Sequence, residues 1–517
     1  MKQKLIFYVL LLIFLSTTTY TDSVCFASEP DELIIAKPFG PSVEVPDPAK
    51  GYNGWYMNEA GVTETLFVLD FDMNLKPWLA ESFKNISPLI WEIKLKQGVR
   101  FHDNTLMDAS AVKWSVNRII DEKSKVFNKR IQGLLNIKTI AVKNDYTLTF
   151  ETHKPNAAFL YDLTSPGTGI ISPMSNERKI YGTGPFILEK VVPKVKMIVR
   201  RFDNYWMGKP KLARVYLNIA RNPTTRMLAF EGGQVDVAVN FPENDAKRIN
   251  LRKGAKIVHK PTNRLCFFFV RIADGPLADI RVRMAVNYAI DRKQIVDAVL
   301  AGIGGEVSAS VFPKILPWNN RNLQPYLYNP DKASELLTEA GAKDNNGDGI
   351  LEINGRPLLL NIWTYEERAS LKPVLELVQM QLQKIGIATK LKVTRKGSPI
   401  NYAMKKGEVH LGLQMWNVAL QGDPDYFISN IFTSNAVANF MGYRNQELDA
   451  LAKKGKITFD QKKRKEIYDR IQEIIFNELP VIVLFHKSMV SALYNHVENY
   501  EIHPSEKYLL TSRLCRK

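Results

Sequence analysis

Cysteine and histidine are scarce in this chain: 517 residues contain three of the first and seven of the second. Cys25, Cys266 and Cys515 are too few for a disulfide scaffold or a thiolate-rich metal site. No histidine stands four positions from another, so there is no HExxH zinc helix, and GxSxG, CxxC and Walker patterns are also missing. These gaps do not exclude an enzyme, but they give one no positive support. After residue 28 no apolar run is long enough to cross a bilayer, and no repeat, low-complexity tract or Gly/Ser linker interrupts the chain. The length exceeds what one ordinary core fills, so at least two closely joined lobes are expected. With 45% hydrophobic and 24% charged residues, the composition is that of a soluble globular protein.

The first residues have the pattern of an export signal. Lys2 and Lys4 precede the apolar run Leu5 to Leu15, polar residues follow, and Cys25 and Ala27 occupy minus 3 and minus 1 of a cut before Ser28. The run "DSVC" makes a poor lipid-attachment box, so a cleaved, soluble, exported product is expected. Removing the signal leaves Cys266 and Cys515, whose pairing the sequence does not decide, and changes the net charge only from +17 to +16. A basic surplus can serve nucleic acid, acidic ligands or anionic membranes. Here it is spread over solvated helical faces such as "DQKKRKEIYDR", and export argues against nucleic acid.

What is present is a steady alternation of strand and helix patterns. "DELIIAKPF" (31 to 39) and the alternating "LIWEIKLKQGVRF" (89 to 101) are expected strands. Asp108 caps a helix with Val112, Val116 and Ile119 on one face, and Asn222 and Pro223 open another that Gly232 and Gly233 stop. The same grammar recurs over 279 to 302 and in "PVLELVQMQLQKIGIATKLKV". The fold class is therefore α/β with mixed sheets.

Few stretches invite chemistry. "YGTGPFILEK" (Tyr181 to Lys190) has the paired glycines of a phosphate cradle, but Pro185 removes an N–H and β-type residues follow where a helix should start. A tight turn into a strand is expected instead. "DNNGDGILE" (Asp344 to Glu352) matches the first half of a calcium loop, yet Gly355 stands where a bidentate glutamate must close the shell, which favours an Asx turn. His102 follows a strand and is expected to be structural. His486 ends the apolar run "LPVIVLFH", where α/β lobes meet ligands, and is either a ligand contact or a satisfied surface imidazole. Trp416 stands just past another strand, before Asp423 and Asp425, and can floor a pocket or pack a lobe edge.

Eight stretches in this order, among them "WEIKLKQGVRFHDN", "YGTGPFILEK", "NPTTRMLAFEGGQVDV", "IRVRMAVNYAIDRKQIV" and "YRNQELDAL", resemble blocks of family 5 of the bacterial extracellular solute-binding proteins. These are the peptide, opine and nickel receptors of ABC importers. The resemblance implies a two-lobed periplasmic-binding-protein fold with a hinged ligand cleft, type II and cluster C-like. It places lobe I at 28–265, with a subdomain at about 65–178, lobe II at 266–484, and a return to lobe I at 485–517. Cys266 to Val270 and Pro480 to Leu484 suit the two strand crossovers. Asn104, where the family has glycine, is acceptable because asparagine tolerates a left-handed conformation.

The resemblance also frames the ligand. Peptide-binding members usually carry an aspartate three residues after the pocket tryptophan; that position is Ala419, so α-amine recognition needs a substitute such as Asp423. By alignment Tyr52, Tyr56 and Trp416 fall at pocket positions of the nickel branch, but Gly169 stands where that branch has a carboxylate-gripping arginine. His486 is the candidate metal ligand. The expectation is a periplasmic, monomeric, non-catalytic receptor that delivers a metal chelate such as nickel, or alternatively a short peptide, to a membrane permease. It needs no cofactor beyond that cargo. An exported hydrolase is the rival from another class.

Overall fold

Ala255–Val270 and Val481–Tyr494 lie antiparallel, with Ala255 opposite Tyr494 at one end and Phe269 opposite Val481 at the other. They are the centre of one large mixed sheet. At the Tyr494 end, Val481–Tyr494 also pairs with Val237–Val239, and the sheet continues through Glu32–Lys37, Arg214–Ile219, Lys196–Arg201 and Phe186–Val192. At the other end, Ala255–Val270 pairs with Leu411–Asn417, followed by Leu359–Tyr365 and Ala388–Thr394. Both long strands therefore pass from one lobe to the other. Their ladder loses register between Pro261 and Leu265, the natural place to bend.

The computed structural model describes residues 31–517, so the expected signal segment, 1–27, lies outside the described residues. Among those described, no helix is long and apolar enough to cross a membrane. The apolar run Cys266–Val270 is wholly buried, as a strand covered on both faces must be. A third unit, the antiparallel sheet of Ala80–Ser87, Ile90–Leu95, Ile137–Asn144 and Thr147–Thr152, packs the Val112, Val116 and Ile119 face of helix Ala109–Ile120 around Trp91 and Phe150.

The local signals act as their chemistry dictates. Asp108 accepts the Ala111 N–H at 2.7 Å, and Asn222 those of Thr224 and Thr225, each capping its helix. The pattern over 279 to 302 forms two helices, Ile280–Tyr288 and Arg292–Val299, because Asp291 caps a fresh start by accepting the Gln294 N–H. Asp344 accepts from the Gly347 and Gly349 N–H groups at 2.7 and 3.0 Å, the expected Asx turn. Among the described residues no three metal-ligating side chains assemble. Cys266 is buried, Cys515 is half-buried, and both are free thiols.

The "GTG" stretch is a turn into strand Phe186–Val192. Its glycines are required by proximity: a Cβ on Gly182 would lie 1.9 Å from the Val62 carbonyl oxygen, and one on Gly184 2.2 Å from that of Gly61. Between them Thr183 donates to buried Glu64, which also accepts from the Trp78 and Trp206 indoles and the Tyr205 phenol. His102 closes the arrangement, donating from Nε2 to the Gly184 carbonyl at 2.9 Å, and burial lowers its pKa to about 4, so the ring is neutral. Gly182→Ala is expected to cost about 1–3 kcal/mol through overpacking. Gly133→Ala, in a helix with no atom within 4 Å of the added carbon, is expected to leave thermal stability unchanged or raised.

Candidate functional site

A cavity of about 510 Å³ opens where the lobes face each other, within the range of small-molecule sites. Lobe II contributes Trp416 and Asn417 from the end of strand Leu411–Asn417, Tyr426 and Asn430 from helix Asp425–Ile431, and the segment at Val437. Lobe I contributes Tyr52, which precedes helix Asn53–Glu59, and Arg130, in the first turn of helix Lys129–Leu135. A second internal void, beside Arg292 and Tyr326, measures about 20 Å³, room for no more than a water.

Trp416 is held before any ligand arrives. Its Nε1 donates to Gln414 Oε1 at 2.9 Å, Gln414 donates in turn to Asn401, and the indole sits edge-on to Phe269 at 5.3 Å. Tyr52 is 71% exposed and free to close on a guest. Arg130 is the single charged residue of the lining and makes no ion pair among the described residues. Of the residues expected from sequence, the structure thus brings Tyr52 and Trp416 to one cavity. Tyr56 lies one helical turn from Tyr52, half-buried, with the Lys37 ammonium 5.6 Å from its ring centre; burial and nearby Glu59 raise its pKa.

The two remaining expectations need correction. Asp423 is 3% exposed and both its oxygens are taken by Arg464, so it is not free to replace the carboxylate missing at Ala419. Ala419 itself is buried, its carbonyl accepting from Asn263. His486 does not end its strand, which runs on to Tyr494 as the crossover, and both faces there are covered. The ring lies 1% exposed between Leu265 and Glu306 on the paired strands, and Nε2 donates to the Ser310 carbonyl at 3.2 Å. Burial lowers its pKa to about 4. It is neither a surface imidazole nor a member of the cavity lining. The space beside Gly169 is filled by Thr63, whose Oγ1 would lie 3.0 Å from an added Cβ, so no long side chain fits there without displacing it.

Arg130 was not expected from the sequence. The only local signal is Asn128, whose side chain accepts the Arg130 and Ile131 N–H groups and so fixes a helix start. Nothing local connects that turn to Trp416. A second charged group escaped notice for the same reason: Arg264, on the crossover, donates to both Glu506 oxygens at 3.0 and 2.8 Å, tying the crossover to the C-terminal segment.

Two lobes on crossing strands, with an aromatic cavity walled from both, define a receptor that encloses a small solute. A sequence profile of bacterial extracellular solute-binding proteins, family 5, matches residues 74–439, and the chain belongs to that family. As a member it is the solute-binding component of an ABC importer of the peptide and nickel type. The chain is 29% identical over 456 residues to the glutathione-binding protein GsiB of Salmonella paratyphi A, covering 85% of this chain and 86% of that one. The structure of a nickel ABC transporter protein from Bacillus halodurans superposes with a TM-score of 0.83 at 28% identity, over 94% of this chain and all of the other. The oligopeptide-binding protein AppA of Bacillus subtilis, solved with a nonapeptide, shares the fold: TM-score 0.70, 24% identity, 93% of this chain and all of that one.

Proposed function

We infer that this receptor captures a small carboxylate-bearing solute, a metal chelate such as nickel with an amino acid ahead of a free peptide. The observation that carries the reading is the cavity lining: one unpaired guanidinium, Arg130, aromatic faces at Tyr52, Trp416, Tyr426 and Phe427, amides at Asn417 and Asn430, and no carboxylate among the described residues. A free peptide brings an ammonium group that would be enclosed without a counter-charge. In a chelate the amine nitrogen donates its lone pair to the metal and carries no proton, so it needs no acidic partner. The remaining carboxylate oxygens suit Arg130. An anionic peptide is the second reading, favoured by the similarity to the glutathione-binding protein.

In this reading Tyr52, Trp416 and Arg130 contact the solute, Tyr56 supports the lobe I wall, Asp423 ties the lobe II loop, and metal held at His486 is not required. Lobe I comprises 28–265 and 485–517, and lobe II 266–484. The chain is exported to the periplasm behind a cleaved signal, works as a monomer, and passes its cargo to a membrane permease without chemical change.

Native mass spectrometry of the mature protein, purified from its own host without chelators and then mildly denatured, tests this. A nickel adduct with a small organic acid is expected. A ladder of short peptides without metal would overturn the chelate assignment in favour of the second reading.

A further inference from the structure

Tyr52 and Arg130 belong to different elements of lobe I, yet both line the cavity. Arg130 stands two positions after Asn128, and Tyr52 three after Ala49. The Asn128 side chain joins the two segments. Its Oδ1 accepts the Arg130 and Ile131 N–H groups at 3.1 and 3.2 Å, while its Nδ2 donates to the Ala49 carbonyl at 2.6 Å. Among the described residues no other hydrogen bond links 47–54 to 128–135. Capping needs only the oxygen, which serine, threonine or aspartate would supply as well. The amide nitrogen is what asparagine adds, and it goes to the loop that carries Tyr52.

Both segments are rooted in the same helix. Ala109–Ile120 sends Arg118 to the Asp47 carboxylate, and its Ile119 carbonyl accepts the Asn128 N–H at 2.8 Å. The Asp47 side chain accepts the Ala49 N–H at 2.9 Å and its carbonyl the Lys50 N–H at 3.1 Å, which closes a turn ahead of Tyr52. The turn Pro166–Thr168 supports both sides. A Cβ on Gly54 would lie 2.4 Å from the Pro166 carbonyl oxygen, and one on Gly167 3.0 Å from the Ile131 Cδ1. These contacts do not involve the Asn128 amide, so the lobe keeps its fold when that amide is removed.

We propose that Asn128 is a positioning residue of the solute site: by tying the Arg130 helix to the Tyr52 loop, it fixes the guanidinium and the phenol at one spacing before a solute arrives. The proposal rests on the reading of Tyr52 and Arg130 as solute contacts. Both residues are exposed, so their backbones decide where the side chains start from. A wall already in place spares the solute the cost of ordering it. A wall in place only part of the time lowers the apparent affinity by that fraction.

Asn128→Ser separates the two roles, because the hydroxyl caps the helix but is too short to reach the Ala49 carbonyl as well. In amide hydrogen exchange of the ligand-free protein, Ala49, Lys50 and Asn53 of this variant should exchange about two- to tenfold faster than in the wild type, the net worth of one hydrogen bond. Gln132 and Asn136, which donate to the Asn128 and Gln132 carbonyls, should keep the wild-type rate. Binding is read with nickel presented with L-histidine and with L-alanyl-L-glutamate as an anionic peptide. Affinity for whichever probe the wild type binds should weaken by the same factor. In a Tyr52→Ala, Arg130→Ala background that weakening should vanish, since nothing remains to be positioned, whereas a merely structural role gives an equal loss in both backgrounds. Wild-type exchange at Ala49, Lys50 and Asn53, an unchanged affinity, or an equal loss in the two backgrounds would each overturn the proposal. A wild type that binds neither probe counts against the cargo assignment alone, and the exchange measurement, which needs no solute, then decides.

Discussion

Arg464→Ala is expected to lower the stability of the folded protein by about 3–5 kcal/mol, the range for leaving one member of a buried ion pair behind. The guanidinium is wholly buried, donates to both Asp423 oxygens and to the Gly455 carbonyl at 2.8 Å, and lies 5.1 and 5.2 Å from the Trp318 and Tyr468 ring centres. Removing it leaves the Asp423 carboxylate with one remaining donor, the Asp425 N–H at 2.9 Å. It also opens a cavity under two aromatic rings, so charge and packing losses add. Chemical denaturation of the single variant should be compared with the apolar pair Arg464→Met and Asp423→Leu. If the burial of an unpaired charge is the main cost, the double variant recovers most of the loss. A single-variant loss below about 1 kcal/mol would mean that water reaches Asp423 far more easily than its burial implies.

The largest effect on binding is expected from Arg130→Ala. A hydrogen bond to a charged group contributes about 1.5–3 kcal/mol, so affinity for nickel presented with L-histidine should fall about tenfold to a hundredfold by calorimetry. Arg130→Lys should recover part of this, because an ammonium supplies the charge without the planar fork. The wild-type affinity should weaken with added salt and that of Arg130→Ala much less, since the helix turn carrying the guanidinium is exposed. An alanine variant that binds within twofold of the wild type would reduce Arg130 to a wall residue and reopen the choice of solute.

Much of the architecture is legible in the sequence because it is encoded locally. Asp108, Asn222 and Asn128 each accept N–H groups two or three residues away, and Gly386, with φ of 77°, separates helix Leu371–Gln383 from strand Ala388–Thr394 within one short stretch. Asn104 takes a φ of 66°, the left-handed conformation expected of it. The site is harder to read, because its walls are separated by most of the chain. Trp416 could be found from its place at a strand end, and Tyr52 only through resemblance. Arg130 carries no mark that separates it from the many solvated lysines and arginines around it. His486 misleads for a physical reason: an apolar run followed by a polar residue reads as a strand end, yet "KSMVSALY" continues the strand into the other lobe, and a single Ser310 carbonyl suffices to hold the ring inside. Asp423 misleads because its partner, Arg464, stands in the first turn of a helix directly after the exposed Lys462 and Lys463, and nothing local marks it as the buried one.

The shared strands have a consequence for how the chain is made. In lobe I the strand Val481–Tyr494 lies between Ala255–Val270 and Val237–Val239, so the sheet built largely from the first half of the chain lacks a central member until nearly the last residues are synthesised. Lobe I cannot complete its hydrogen-bonded ladder until that strand has left the ribosome. Once the strand docks, each lobe supplies the other's missing edge, so heating should melt them together in a single calorimetric transition.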